Sequence, residues 1–193
     1  DGKERVVMDT SDIQLPGVHN IENYLAAIAA VDGMVSDEII RDFARTFGGV
    51  EHRIELIRTL DGVRWYNDSI ASSPSRTIAG LRSFPEKVVL IAGGKDKGIS
   101  YDSLGPVVND HVKLLILCGA TAGVIRRAVE QAPNYAGLEI FDVADYEEAA
   151  ALARSRTQPG DVVILSPAST SFDRFANFME RGRVFKDVVN RLQ

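Results

Sequence analysis

The chain has 193 residues, 45% of them hydrophobic and 25% charged, which is the composition of an ordinary globular domain rather than of a disordered or fibrous chain. Its formal net charge of -5, with no run of Lys or Arg, excludes the basic patch that a nucleic-acid partner requires. The one cysteine, Cys118, excludes an internal disulfide and a thiolate metal cluster, so a reducing, cytoplasmic setting is expected.

The longest apolar stretch, Tyr24 to Val31, falls well short of the roughly 20 residues of a membrane helix, and the first residues are charged rather than signal-like. Neither a membrane span nor export is expected. The chain opens with Asp1 instead of an initiator Met, compatible with truncation or processing. The first sixteen residues hold one β-like run, Arg5 to Met8, and a polar turn, Asp9 to Asp12. A helix follows, with Asn20 as its N-cap and Leu25, Ile28 and Ala29 on its apolar face as far as Val31. A second helix begins after Ser36, places Asp37 and Glu38 in its first turn, buries Ile39, Ile40 and Phe43, and stops at Gly48-Gly49. Two helices and a strand fragment amount to half a domain.

Beyond Gly49 the pattern changes. A hairpin runs from Arg53 to Leu60, turns at Asp61-Gly62 and returns from Val63 to Tyr66. Strands then fall at Lys87 to Ala92, Lys113 to Cys118, Leu138 to Val143 and Asp161 to Leu165. Helices fall near Ser75 to Arg82, Ala122 to Gln131, Tyr146 to Ser155 and Phe172 to Arg191. Strand cores such as Val88-Val89-Leu90-Ile91 are continuously apolar, as strands covered on both faces must be. The expected fold is α/β, a doubly wound, mostly parallel, Rossmann-like sheet preceded by a helical piece.

Ligands of open parallel sheets bind outside the carboxyl ends of the strands. Four loops there are unusual: Asn67 to Pro74, Gly93 to Gly98, Gly119 to Ala122, and Ser166 to Asp173. Together they offer hydroxyls, backbone amides near helix starts and two lysines, a set suited to carboxylates or phosphates. Any one of them alone reads equally as a tight turn or a helix cap; four on one sheet edge favour an anionic ligand. Asp68 fits a cap, a ribose-binding carboxylate or a metal ligand. No G-x-x-x-x-G-K-[ST] phosphate loop occurs, no G-x-G-x-x-G follows a strand, and His19, His52 and His111 lack the i, i+4 partners of a helical metal site. Cys118, ending an apolar strand, reads as a core residue rather than a nucleophile.

Five blocks carry a resemblance: Leu15-Pro16-Gly17-Val18-His19-Asn20-Ile21-Glu22-Asn23, His52-Arg53, Trp65-Tyr66-Asn67-Asp68-Ser69, Gly93-Gly94 with Asp96-Lys97, and Leu165-Ser166-Pro167-Ala168 running on to Arg181-Gly182. In these the chain resembles the Mur ligases, and within them the D-glutamate-adding branch. The resemblance implies an enzyme of three domains: one for a uridine nucleotide, a central ATPase domain, and a C-terminal domain for the incoming amino acid. Residues 1–49 look like the tail of the central domain and 50–193 like the whole amino-acid-binding domain. Such enzymes use ATP and Mg2+ to phosphorylate the carboxylate of UDP-N-acetylmuramoyl-L-alanine. The amine of D-glutamate then attacks the acyl phosphate, giving an amide for peptidoglycan precursor synthesis and cell-wall growth. By motif position, Asn20, Asn23, Arg53 and Asp68 resemble nucleotide-binding residues, and Ser72, Lys97, Ser171, Phe172 and Phe178 resemble those that hold D-glutamate. The phosphate loop, magnesium ligands and carbamylated lysine of the family belong to its central domain, so no catalytic residue or metal ligand is assigned here and the chain should not turn over alone.

One departure bears on the site. Where these ligases carry a lysine after Asn-Asp-Ser, this chain has Ile70, and Ser72 stands where a Thr is usual. Arg76, at the start of the next helix, reads either as the replacement cation for the D-glutamate site or as a surface arginine. Two other readings share the same loops: a sister ligase for L-alanine, a diamino acid or folate, and a non-catalytic anion-binding module.

Overall fold

A computed structural model describes residues 4–15 and 17–193, so Asp1 to Lys3 and Pro16 of the Leu15–Asn23 block lie outside it. The chain divides into two compact units, Asp1–Gly49 and Val50–Gln193. Among the described residues no helix is long and apolar enough to cross a membrane.

The first unit holds helices α1 (Val18–Ala30) and α2 (Asp37–Thr46). Arg5 to Met8 form no strand, because no neighbouring strand among the described residues offers them a ladder; Thr10–Asp12 instead make one 3-10 turn capped by the Asp9 side chain. The N-cap of α1 is Gly17, at φ 100°, which places Asn20 inside the first turn. The inward face of α1 also differs from the sequence reading. Tyr24 is buried and meets the Phe43 ring at 6.4 Å, while Leu25 is 63% exposed and Ala29 is exposed. In α2 the Ser36 hydroxyl accepts from Ile39 N, Ile40 and Ala44 are buried, and Ile39 and Phe43 stay more than half exposed. The apolar surface of these two helices is wider than the unit itself covers.

The second unit is a six-stranded sheet: β1 (Glu55–Leu60), β2 (Val63–Asn67), β3 (Val88–Ala92), β4 (Val112–Leu117), β5 (Glu139–Asp142) and β6 (Val162–Leu165), in the order β1-β2-β6-β3-β4-β5. Only the hairpin β1–β2 is antiparallel; β2–β6, β6–β3, β3–β4 and β4–β5 are parallel. The hairpin turns through Asp61 (φ 49°) and Gly62 (φ 80°), two left-handed residues in succession, which match the twist of the strands they join. β1 starts two residues later than the sequence pattern suggests, since His52 (φ 69°) and Ile54 (φ 46°) are left-handed and break the extended run.

Helices α3 (Pro74–Leu81), α4 (Leu104–His111) and α5 (Ala122–Glu130) cover one face of the sheet, where Leu81, Leu104, Val108 and Ile125 pack on Leu90, Leu115 and Ile164. Helices α6 (Tyr146–Ser155) and α7 (Phe178–Arg191) cover the other, where Tyr146, Ala149, Ala150, Phe185 and Val189 pack on Trp65, Val89, Ile91 and Ile116. Alternate residues of a strand therefore face different helix layers, which is why the strands are apolar throughout. The sequence pattern leaves out one helix and starts another too early. α4 carries Gly105 and Pro106 in its first turn, where a proline's missing N–H is no loss, so breaker residues disguise a helix. α7 begins at Phe178, because Asn177 caps it by accepting from Glu180 N at 2.9 Å; residues 172–177 are loop.

The helices after β2, β3 and β4 lie on one face and the helix after β6 on the opposite one. The chain thus changes direction where β6 sits between β2 and β3, and the loops leaving these three strands lie on one edge of the sheet.

Candidate functional site

The loops at this switch point are locked together by backbone rather than by ion pairs. Lys95 and Thr170 exchange two backbone hydrogen bonds, of 2.9 and 3.1 Å, and Gly93 N donates to Pro167 O at 2.9 Å. A buried hydroxyl relay continues the lock: Tyr101 Oη, Ser169 Oγ and Thr121 Oγ1 follow one another at 2.8 Å, and Gly94 N donates to Thr121 Oγ1 at 3.0 Å. Gly93 and Gly94 are required by contact, since a β-carbon would collide with the carbonyl of Cys118 at the first and of Thr170 at the second. Ala168 holds a left-handed φ of 56°, an unusual conformation for a residue with a side chain.

Asp68, just beyond β2, is only 3% exposed. Its Oδ1 accepts from Ile54 N at 3.3 Å and its Oδ2 from Ser166 Oγ at 2.7 Å, with Thr77 Oγ1 a further 2.9 Å from Ser166 Oγ. Burial pushes this carboxyl up to about 7, against the pull of the Ser166 and Ile54 hydrogen bonds and of the Arg53 and Arg76 charges. Arg53 is exposed at the start of the hairpin. Asn20 and Asn23 belong to the first unit, where Asn23 Nδ2 donates to Asn20 Oδ1 at 3.3 Å.

The residues expected to hold an amino acid fall on the same three strand ends. Ser72, half-buried, follows β2; Arg76 is exposed in the first turn of α3; Lys97 is exposed in the loop after β3; Ser171 is buried and Phe172 62% exposed after β6. Neither Lys97 nor Arg76 forms an ion pair among the described residues. Phe178 stands apart, edge-on to the His52 ring at 5.8 Å.

His52, isolated in sequence, is part of a polar cluster in space. It is 4% exposed, and its Nδ1 lies 3.0 Å from Asn67 Nδ2. Asn67 Nδ2 also donates to Glu55 Oε2 at 3.0 Å, and its Oδ1 accepts from Ser69 N, so the amide orientation is fixed. The His52 Nδ1 must then accept, which leaves the hydrogen of the neutral ring on Nε2. Burial lowers the His52 pKa and favours that neutral form. Glu51, His52 and Glu55 come close enough to suggest a cation site, but Lys186 Nζ already lies 2.5 Å from Glu55 and 3.3 Å from Glu51. With an ammonium in place and Nε2 protonated, this group does not fit Mg2+.

Sequence reasoning placed Asn67, Ser166 and Arg181 in notable loops and blocks without finding their partners or the burial of Arg181, and it missed Glu55 and Lys186; only folding brings these residues together. Cys118 is buried and its thiol pushed up to about 11, which suits a core residue and not a nucleophile.

Residues 52–169 match the protein-family model described as Mur ligase, glutamate ligase domain. The chain belongs to that family. It is 54% identical over 194 aligned residues to the UDP-N-acetylmuramoylalanine–D-glutamate ligase of Acetivibrio thermocellus, covering 98% of this chain and 42% of that protein. It is 52% identical to the protein of the same name from Ruminiclostridium cellulolyticum, covering 97% of this chain and 41% of that one. The chain thus spans well under half the length of these relatives. Among solved structures, a Mycobacterium tuberculosis folylpolyglutamate synthase complexed with ADP superimposes with a TM-score of 0.64 at 14% identity, over 94% of this chain and 42% of that one. A likeness so low in identity speaks for the fold alone. The mostly parallel α/β sheet is therefore that of a Mur ligase glutamate ligase domain.

Proposed function

We propose that this Mur ligase domain is the acceptor-binding part of an ATP-dependent carboxylate–amine ligase that joins D-glutamate to UDP-N-acetylmuramoyl-L-alanine in peptidoglycan precursor synthesis. The observation that carries the reading is 54% identity to a ligase of that name, sustained over 98% of the chain. In the same reading, residues 1–49 are the end of a central ATPase domain and 50–193 the amino-acid-binding domain. The half-exposed Ile39 and Phe43 and the exposed Leu25 support this, because they look like the core of a domain of which only part is present.

ATP supplies the phosphoryl group that activates the substrate carboxylate, and Mg2+ the charge that shields its phosphates. Mg2+ ligands would come from outside these residues, given the misfit of the Glu51, His52 and Glu55 group. Of the residues expected to bind nucleotide, Asp68 and Arg53 would do so from this domain, whereas Asn20 and Asn23 belong to the first unit. Lys97 and Arg76, neither in an ion pair among the described residues, would neutralise the two carboxylates of D-glutamate, with Ser72, Ser171 and the backbone amide of Phe172 as donors. Phe178 would close an apolar wall. The domain's task is orientation: it holds the amine of D-glutamate against the acyl phosphate while charge gathers on the tetrahedral intermediate.

Phosphate release by the ligase containing this chain, given UDP-N-acetylmuramoyl-L-alanine, ATP and Mg2+, should depend on D-glutamate and not on L-glutamate, L-alanine or meso-diaminopimelate. Release driven by another amino acid would replace this reading with that of a sister ligase. No release with any amino acid would favour a binding module.

A further inference from the structure

We propose that Arg181 is a positioning residue that ties the loop after β2 to the loop after β6 and so sets the spacing between the nucleotide side and the amino-acid side of the site. The guanidinium is 1% exposed, yet among the described residues it pairs with no carboxylate. Its Nη1 donates to Ser169 O at 3.0 Å and its Nη2 to Ser69 O at 2.8 Å, while Nε is buried without a partner. The charges of Asp173 and Asp68 act on it only at longer range, so burying this cation is expensive, and an apolar residue of similar volume would serve stability at least as well. What an apolar residue cannot do is hold two carbonyls at the fixed separation of a planar fork.

The two carbonyls stand beside the residues that matter. Ser69 follows Asp68 directly. Ser169 lies two residues before Ser171 and follows Ala168, whose left-handed φ of 56° needs a reason to persist. The third loop is touched as well, since a β-carbon on Gly94 would come within 3.1 Å of Nη1. Arg181 therefore sits where the loops after β2, β3 and β6 converge, and it projects from α7, which starts only after the β6 loop has ended. If the fork is lost, Asp68 and Ser171 no longer share a common anchor.

This inference rests on the ligase reading for the identity of the two ligands, and the test separates the two. Arg181→Lys keeps the charge but not the fork; in the ligase containing this chain it should raise the KM for ATP and the KM for D-glutamate together, each about tenfold, as loss of one charge-assisted hydrogen bond predicts. Hydrogen exchange in the same variant should quicken at the amides of Lys95 and Thr170 and remain unchanged at Leu90 and Ile164 in the core. Should Arg181→Lys fail to fold, Arg181→Gln carries the same test. Unchanged KM values, with activity falling only as the folded fraction falls, would overturn the proposal, as would a rise in one KM alone. A wild-type enzyme indifferent to D-glutamate would overturn the ligase reading instead, and the exchange rates would then judge the clamp by themselves.

Discussion

Asp68 shows how much a single side chain gains from its surroundings. In an unfolded chain its carboxyl titrates near 3.8, and in the fold burial pushes it up to about 7. The fold therefore favours the protonated form. Below about pH 4 both states hold the proton and the favourable contribution is complete; as pH rises towards 7 the unfolded chain ionises first, and stability declines. The decline over that window should amount to roughly 4 kcal/mol from this group. Asp68→Asn should flatten the pH dependence of chemical denaturation between pH 4 and 8, and an unaltered slope would assign it to other groups. Ligand binding belongs to the same scale. If the proposed reading holds, Arg76→Ala in the ligase containing this chain should raise the KM for D-glutamate about tenfold with little change in kcat, since it would remove one charge contact from a site in which Ile70 stands where the resemblance implies a lysine. Equal KM values for the two proteins would leave Arg76 a surface residue.

Elements approach closely at glycines whose importance no propensity scale reports. Gly105 lies in the first turn of α4 with α5 so close that a β-carbon would run into the carbonyl of Ala128. Gly182, in α7, abuts the His52 ring and Ser69 Oγ just as tightly. An alanine is intrinsically the better helix former at either position, yet Gly105→Ala and Gly182→Ala should each destabilise the domain by about 1–3 kcal/mol through overpacking, read as a lowered midpoint in urea. Element identity was legible where periodicity was long: β3, β4, β6, α5 and α6 fall within a residue or two of their sequence-derived bounds, because a fully buried strand or a two-faced helix leaves its pattern in the apolar residues. It was illegible where a local rule pointed elsewhere. α4 hides behind Gly105-Pro106, and the loop of residues 172–177 reads as helix until the Asn177 cap is seen.

At the scale of the molecule, Val50–Gln193 contains both apolar layers and every strand among the described residues, so it should melt cooperatively when produced without residues 1–49. A broad transition, or binding of a dye specific for exposed apolar surface, would show that the first unit is needed for its folding. By itself the amino-acid sequence determined the α/β class, the hairpin at Asp61-Gly62, the exclusion of a disulfide framework, and the loop blocks that carry the family resemblance. The first three follow from period, turn chemistry and composition, all of which are local, and the last from the order of residues in short blocks. Only the tertiary structure decided which face of α1 and α2 turns inward, that His52 lies within a Glu51, Glu55, Asn67 and Lys186 cluster, that Asp68 is buried against Ser166, and that Arg181 spans two loops. The last three facts depend on residues far apart in the chain meeting near the ends of β2, β6 and β3, and the strand order that brings them there is set by packing two helix layers on one sheet, which no local pattern encodes.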